Sequence, residues 1–280
     1  KILNTPDLTI DGSLVFGMTV CAVVTIAGHP VLALVAGTAA GAVAGLITGL
    51  QQTKLQINAI LAGILTMTGL YTVNYMVLGG QANLYLQHAE LNESGSEVFV
   101  SSNTIYKMFA SLFPSWDNTV AVLVLTALLV AAVAALLCVF FKTRPGMAIR
   151  ATGDNEEMVR SSSINADMSR VLGIMIANAL VALSGSLLCQ QQRFFDISMG
   201  TGTMVIGLAS VIIGTNLFKR ASFIKSTTAV LIGSILYKAC VSIALSLGLD
   251  SQDMKLVTAA LFLLILVAGT MPRKKVRIHA

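Results

Sequence analysis

The segment FDISMGTGTMVIG, residues 195–207, decides how this chain folds, because its three glycines and several hydroxyl side chains open a short apolar stretch. That uncharged stretch, residues 203–217, has only 15 residues. A helix of that length rises about 22 Å, whereas the hydrocarbon core of a bilayer is about 30 Å thick. In a membrane the segment could not span alone, so it predicts a broken helix covered by neighbouring helices.

Composition indicates that the chain does lie in a membrane. Of its 280 residues, 55% are hydrophobic and 11% are charged, whereas about 25% are charged in a typical soluble domain. The apolar residues form long uncharged blocks, which a water-soluble core does not need. We therefore expect an all-α polytopic membrane protein. The net charge of +5 then reflects membrane topology, and nucleic acid is not an expected partner.

Eight apolar segments divide the chain, and the first and sixth of them are short. The others are long enough to span a bilayer. The predicted segments are residues 13–28, 31–50, 57–78, 119–141, 169–191, 203–217, 226–248 and 254–271.

Basic residues predict the orientation of these segments. Lysine and arginine cluster in residues 142–168, in residues 218–225 and in the C-terminal tail. Because cytoplasmic loops carry such an excess, these regions are expected inside, and residues 79–118 are expected outside.

The second segment carries a stripe of glycines at every fourth position, Gly37, Gly41, Gly45 and Gly49. Such a stripe lies on one helix face and lets another helix approach closely in lipid. Helix packing is the favoured interpretation, and a pore-lining role is the alternative.

Two short segments open in the same way. DLTIDGSLVFG, residues 7–17, aligns with the segment that begins at Asp196 as an acid, an apolar residue, a hydroxyl and an apolar residue before a glycine-containing turn. The first enters from the cytoplasm and the other from outside. Paired, glycine-interrupted segments predict two inverted halves with a pathway between them. Ordinary helix caps are the alternative, because Ser and Thr favour such positions.

The predicted solute pathway combines these broken segments with the one ionisable side chain expected in mid-span, Lys238. An intramembrane charge is a functional hypothesis, although a structural or snorkelling lysine is the alternative. The pathway hypothesis names Thr9, Ser13, Gly17, Ser198, Gly200, Gly202, Gly207, Ser210 and Lys238.

The longest predicted cytoplasmic loop contains a helix signal. It reads KTRPGMAIRATGDNEEMVRSSSINADMSR over residues 142–170, and Pro145 with Gly146 is expected to break the preceding span. Asp154 or Asn155 can cap a short helix that has two glutamates in its positive first turn. A surface helix of this kind suits docking to a soluble partner, and a solvated connector is the alternative.

The same loop resembles the cytoplasmic signature of ABC importer permeases of the ribose and branched-chain amino-acid type. Arg150, Ala151, Gly153 and Asn155 match its Arg-Ala-x-Gly-x-Asn pattern, and Ile164–Asn165 match its end, whereas Ser163 replaces the usual glycine. The stretches DLTIDGS and GTMVIGLASVIIG look like the subgroup of putative tryptophan/tyrosine permeases.

The resemblance implies one permease domain, residues 1–280, with halves at 1–141 and 169–280 around the loop 142–168. It implies a bacterial inner-membrane importer of an amino acid, a homodimer, a partner ATPase that holds ATP and Mg²⁺, and an extracellular or periplasmic solute-binding protein. The family's helix before DLTIDGS is expected to be missing from this chain. The residues implied to couple to the ATPase are Arg150, Gly153, Asp154, Asn155, Glu156, Glu157, Met158 and Arg160.

Enzymatic chemistry is not expected of this chain. It has no G-x-x-x-x-G-K-[ST] phosphate-binding motif and no pattern of catalytic or metal-ligating residues, so no cofactor is expected within it. The alternatives are an ion-coupled secondary transporter with inverted repeats and a membrane scaffold that does not transport. The lack of predicted mid-span carboxylates counts against ion coupling.

Overall fold

The structure is a computed structural model of the chain. It describes residues 3, 5–91, 97–113, 117–162, 164–217, 226–246, 260 and 263.

Helices dominate the described residues, as the composition predicts. In chain order they are α1 (Ile10–Ile26), α2 (Pro30–Thr53), α3 (Ala59–Val77), α4 (Ile105–Leu112), α5 (Asn118–Phe140), α6 (Arg144–Asp154), α7 (Glu156–Ser161), α8 (Ala166–Gln192), α9 (Thr203–Leu217) and α10 (Ser226–Ser246). A 3-10 helix (Ile197–Gly200) precedes α9, and the strands are β1 (Asn83–Tyr85), β2 (Gln87–Leu91), β3 (Glu97–Ser101) and β4 (Phe194–Asp196).

The chain is an all-α polytopic membrane protein, which confirms the predicted fold class. The first seven predicted segments each coincide with a helix, and residues 254–271 lie almost entirely outside the described residues. Five helical stretches in the described part are long and apolar enough to cross a membrane: Pro30–Thr53, Ala59–Val77, Asn118–Phe140, Ala166–Gln192 and Ile197–Thr215.

The last of these stretches corrects the length argument made from residues 203–217. Helix α9 alone has 15 residues, but the 3-10 helix before it extends the helical stretch to 19 residues. The break therefore lies inside a segment that has spanning length.

The chain forms two compact units, Lys1–Gly200 and Thr201–Ala280. In the first unit, α1 runs parallel to α3 and α8, because Gly12 lies beside Met67 and Ser13 beside Asn178. Helix α2 runs the opposite way, since its Thr48 contacts Thr9. These directions agree with the alternation that the basic residues predict.

The glycine stripe of α2 packs directly against α8, which confirms the packing interpretation. A Cβ atom added at Gly41 would lie 2.2 Å from the Ala182 Cβ, and one at Gly45 would lie 2.7 Å from the Ile174 carbonyl oxygen. Two helices this close exclude lipid and solute from the stripe.

The second unit repeats this kind of packing between α9 and α10. A Cβ atom at Gly214 would lie 2.1 Å from the Ala229 carbonyl oxygen, and one at Gly233 would lie 2.3 Å from the Ser210 carbonyl oxygen. Small residues therefore set the crossing of α9 with α10.

A short antiparallel sheet joins the predicted outer loop to the segment after α8. Strand β1 pairs with β4, with Asn83 opposite Asp196 and Tyr85 opposite Phe194. Phe195 between them is fully buried, and burial of such a side chain contributes about 1.5–3 kcal/mol. Its apolar cluster comprises Leu14, Val15, Met18, Ala22, Leu78, Leu86, Cys189 and Ile197. The sheet ties residues 83–85 to the segment that opens α9.

The loop that is predicted to be cytoplasmic contains two helices, α6 and α7, whereas its sequence predicts one. Pro145 and Gly146 do not merely end the preceding span, because α5 ends at Phe140 and Pro145 lies in the first turn of α6. Proline is favoured there, since its missing N–H is not needed in the first turn. A Cβ atom at Gly146 would lie 2.2 Å from the Phe140 carbonyl oxygen, so the tight corner between α5 and α6 requires glycine.

Candidate functional site

Helix α1 begins near the middle of the neighbouring spans and not at their end. Its first turn lies beside Asn178, which is close to the midpoint of α8, and Gly12 lies beside Met67 near the midpoint of α3. Leu3, in contrast, lies beside Gly173, which is five residues closer to the start of α8 than Asn178. The chain therefore runs along α8 towards mid-depth before it becomes helical.

We call residues 5–9 the first lead-in, and a buried polar network holds its end. Asn178 donates from Nδ2 to Asp7 Oδ2 at 2.7 Å and accepts from the Ser13 hydroxyl at 2.7 Å. Asp7 Oδ1 also accepts from the Thr9 N–H at 2.9 Å. Broken backbone at membrane depth requires hydrogen-bond partners; Asp7 supplies one to the Thr9 N–H, and Asn178 holds the Asp7 side chain in place.

Thr9 joins a chain of hydroxyls across three helices. Its Oγ1 lies 2.9 Å from Thr48 Oγ1, which lies 3.0 Å from Thr66 Oγ1. Thr66 in turn donates to Gln51 Oε1 at 3.2 Å. Thr9 is the residue before α1 but makes no side-chain capping bond, so the ordinary-cap alternative is wrong for this residue.

We call residues 194–200 the central lead-in, and it enters from the opposite end. After α8 ends, β4 and the 3-10 helix return along α1 until Gly200 meets its first turns. A Cβ atom at Gly200 would lie 2.4 Å from the Asp11 carbonyl oxygen and 2.3 Å from Val15 Cγ2. Because Asp11 lies in the first turn of α1, the central lead-in ends beside the start of the helix that follows the first lead-in, near mid-depth.

Hydrogen bonds between neighbouring residues stabilise a turn in the central lead-in. Asp196 Oδ1 accepts from the Ser198 N–H at 2.7 Å and also from the Ser198 hydroxyl. Ser198 is exposed and Gly200 is buried. Gly202 follows with φ of +86°, a conformation that glycine adopts without strain.

The remaining predicted pathway residues lie in three different settings. Gly17 is a packing position, because a Cβ atom there would lie 2.5 Å from the Ala182 carbonyl oxygen. In the second unit, Gly207 is exposed, and the buried Ser210 donates to the Ile206 carbonyl at 2.9 Å. Lys238 is exposed on α10, next to the buried Tyr237. The structure thus brings Thr9, Ser13, Gly17, Ser198 and Gly200 into one unit.

Asp7 and Asn178 are the residues that sequence reasoning missed or placed lower. Asp7 belongs to the predicted repeat but is not among the predicted pathway residues, and neither is Asn178. A polar residue in the middle of a span was the available signal for Asn178. Its two partners lie far away in the chain, so no spacing could reveal them.

The residues of the predicted cytoplasmic signature lie on α6, on α7 and at the bend between these two helices, which we call the corner. Arg150 and Gly153 lie on α6, and Asn155 caps α7 by accepting from the Met158 N–H at 3.1 Å. Glu156 and Glu157 occupy the first turn of α7, and Arg160 lies in its last turn, as predicted. Ser163 lies outside the described residues.

Ion pairs tie this corner to α8. Arg160 donates to Glu156 at 2.9 Å and to Asp167 at 2.6 Å, and Arg170 donates to the other Glu156 oxygen. The hydrogen bond to Glu156 and the charge of Asp167 raise the pKa of Arg160 above its usual value. Glu156 is thus engaged within the chain, whereas Glu157 and Met158 are exposed.

Known proteins resemble this chain over most of its length. Residues 1–267 match the family described as branched-chain amino acid transport system, permease component. A tyrosine transport system permease protein of Clostridioides difficile (strain R20291) is 38% identical over 97% of this chain and 84% of its own length. An uncharacterized protein of Rickettsia prowazekii (strain Madrid E) is 30% identical over 92% of this chain and 85% of its own.

A more distant relative carries a different name. The autoinducer 2 import system permease protein of Yersinia pestis (strain Pestoides F) is 29% identical over 62% of this chain and 44% of its own length. No solved structure matches the chain. The match over residues 1–267 establishes the family, and the broken segments and the folded α6–α7 loop fit a transport protein. The chain belongs to the family of permease components of branched-chain amino acid transport systems.

Proposed function

We propose that this chain is the membrane subunit of an ATP-driven importer for an amino acid, with an aromatic amino acid such as tyrosine as the first substrate to test. The observation that carries the proposal is that both lead-ins reach the first turns of α1 near mid-depth, in a chain whose loop before α8 is folded. That loop is bound to α8 by ion pairs. The named function of the relative that is 38% identical supports the choice of tyrosine.

The proposed pathway starts at the broken segments. Substrate and ion sites in transporters lie near the bilayer midplane, where discontinuous helices leave backbone groups for the solute. Asp7, Ser13 and Asn178 fix the end of the first lead-in, and Gly200 gives the central lead-in room to approach α1. We assign the solute passage to this region, and the pathway predicted through α9 and Lys238 remains a hypothesis.

The proposed energy source lies on a separate ATPase subunit, which would bind ATP and Mg²⁺. Exposed Glu157 and Met158 on α7 form the contact with that subunit, while Glu156 binds inward. Motion of α7 would pass through Glu156 and Arg170 to α8, whose C-terminal end leads into the central lead-in. Alternating access then follows as a shift of the end of the central lead-in relative to the fixed first lead-in.

The proposal includes an assembly and a location. Two copies of the permease form the passage, a solute-binding protein delivers the substrate from outside, and the complex lies in the cytoplasmic membrane of a bacterium. Residues 142–168 and the C-terminus face the cytoplasm, in agreement with their basic residues. The chain itself carries out no enzymatic reaction.

Reconstitution tests the proposal. The permease, its co-purified ATPase and the binding protein are placed in vesicles, and uptake of labelled tyrosine is measured with and without ATP. We expect uptake that requires ATP and stops when the ATPase is inactivated. Uptake that persists without ATP but collapses with the ion gradient would establish a secondary transporter instead, and absence of flux with every amino acid would reject the substrate class.

A further inference from the structure

Helix α4, in the loop predicted outside, carries large apolar side chains that are exposed. Met108 is 49% exposed, Leu112 is 68% exposed and Phe113, directly after the helix, is 42% exposed. Met108 and Leu112 are four residues apart, so they lie on one face of the helix. The Phe109 and Phe113 rings also contact each other, with centroids 5.3 Å apart.

The other sides of α4 are polar or attached to the protein. Lys107 and Ser111 are both exposed and share a polar stripe, because they too are four residues apart. Tyr106 is buried, and its hydroxyl lies 3.4 Å from Thr126 Oγ1 on α5. The helix is therefore amphipathic, with one side attached, one side polar and one side apolar and open.

Two contacts set the depth of α4. At its start, the Ile105 N–H donates to Gln190 Oε1 at 3.0 Å, and the Gln190 amide donates to the Pro30 carbonyl oxygen. Gln190 lies in the last turn of α8 and Pro30 in the first turn of α2, so this end of α4 lies where the spans leave the membrane.

The contact with α5 reaches deeper. Helix α5 has 23 residues, which span about 34 Å, and Thr126 lies about 12 Å along it from Asn118. A helix of that length crosses the whole hydrocarbon core, which is about 30 Å thick. Tyr106 thus reaches to the level of the predicted outer leaflet, and α4 lies beside the first turns of a span that has few buried residues.

We infer that α4 is an interfacial helix that inserts Met108, Leu112 and Phe113 into the outer leaflet of the bilayer. Amphipathic helices with one lysine-bearing polar face lie in this way at the boundary between headgroups and acyl chains. Its apolar face continues the outer surface of α5, of whose residues Ala121 and Leu125 are the two that are buried. The helix fixes the height of the outer loop above the membrane.

Site-specific fluorescence tests this inference. Trp116 is the only tryptophan, so a Trp116→Phe background is dark. In that background we compare Leu112→Trp with Ser111→Trp, its matched control on the polar stripe. Both are reconstituted into phosphatidylcholine and phosphatidylglycerol vesicles, with or without lipids brominated near the glycerol end of their acyl chains. Iodide is loaded on both sides as the aqueous quencher.

The expected results differ between the two positions. Brominated lipid should lower the emission of the L112W variant at least about twofold and change the S111W variant little, whereas iodide should do the reverse. Equal quenching of both by iodide would overturn the inference, because the face would then be in water. Protection of the L112W variant from both quenchers would also overturn it, because another protein would then cover the face.

A second pair guards against a folding defect at Leu112. Met108→Trp and Lys107→Trp place the probe on the same two faces one turn earlier in α4. All variants must elute like the parent in size-exclusion chromatography. The same contrast at both pairs supports lipid insertion, and its absence in the second pair rejects it.

Discussion

The two lead-ins begin with the same turn and end in different environments. In each, an aspartate accepts a hydrogen bond from the N–H two residues ahead, Asp7 from Thr9 at 2.9 Å and Asp196 from Ser198 at 2.7 Å. The likeness supports the predicted repeat of this local element. The second oxygen of Asp7, however, binds Asn178 of α8, while the Asp196 carboxylate binds Ser198 in its own turn.

The difference indicates how each lead-in is held. Side chains of other helices fix the first lead-in, and α1 follows it without an intervening turn. The central lead-in is held at its start by the pairing of β4 with β1 and by the buried Phe195, whereas its end fits against α1 through the small size of Gly200. We infer that the first lead-in is the fixed wall of the passage and that the end of the central lead-in, residues 198–200, is the part that moves.

The largest effect is expected at Gly200. Gly200→Ala places a Cβ atom 2.4 Å from the Asp11 carbonyl oxygen, and backbone cannot move away cheaply. Overpacking of this kind costs up to about 3 kcal/mol, so the midpoint of thermal unfolding in detergent and the rate of uptake should both fall. Gly69→Ala is the control, because no described atom lies within 4 Å of its added Cβ. A Gly200→Ala variant as stable as the control would contradict the close approach of Gly200 to the Asp11 carbonyl oxygen of α1.

The next effect concerns the anchor of the first lead-in. Asn178→Leu removes the partners of Asp7 and Ser13 and should destabilise the protein by about 1–2 kcal/mol, since polar contacts between membrane helices have contributions up to that range. Thermal unfolding of Asn178→Leu, Ser13→Ala and the double variant measures the coupling. Additive losses would show that the two side chains do not act together.

A third prediction separates the coupling contacts from the surface of the loop. Arg170→Met removes the ion pair between Arg170 of α8 and Glu156 of α7. We expect uptake per ATP hydrolysed to fall about fivefold, which is about 1 kcal/mol of coupling. Glu157→Arg should instead weaken co-purification with the ATPase, because Glu157 is exposed.

The outcome for Glu156 distinguishes these roles. Changing Glu156 and Glu157 together to Arg should uncouple hydrolysis from uptake, since one substitution breaks the tie to Arg170 and the other changes the docking surface. Normal coupled uptake in that double variant, or in Arg170→Met, would reject the proposed route through α8.

Sequence reasoning succeeded where a single local property decides the structure. Long uncharged blocks identify the spans, because a bilayer demands length and apolarity alone. Of the two predicted caps, Asp154 and Asn155, it is Asn155 that accepts the N–H three residues ahead. The glycine stripe of α2 was recognised as a packing face because its period matches the helix.

It failed where distant parts of the chain decide the structure. Helices α4 and α6 and strand β4 are short, and their sequences are not uniformly apolar, so contacts with α5, α8 and β1 select their conformations. The meeting of Gly200 with Asp11 joins residues on opposite sides of the predicted repeat. No local pattern encodes that approach, although the glycine-rich segment did mark where the backbone breaks.

The smallest effect is expected at Ser198, and it tests the contrast between the lead-ins most directly. Ser198 is exposed and its hydroxyl donates to Asp196 in the same turn, so Ser198→Ala should change stability by less than about 0.5 kcal/mol, as is usual for an exposed position. If the central lead-in moves during transport, loss of this local bond should still alter the rate of uptake while thermal unfolding stays unchanged. Ser13→Ala should instead lower the midpoint of thermal unfolding, because the Ser13 hydroxyl makes a buried hydrogen bond to Asn178. Equal behaviour of the two serines in both measurements would remove the distinction between a fixed and a moving lead-in.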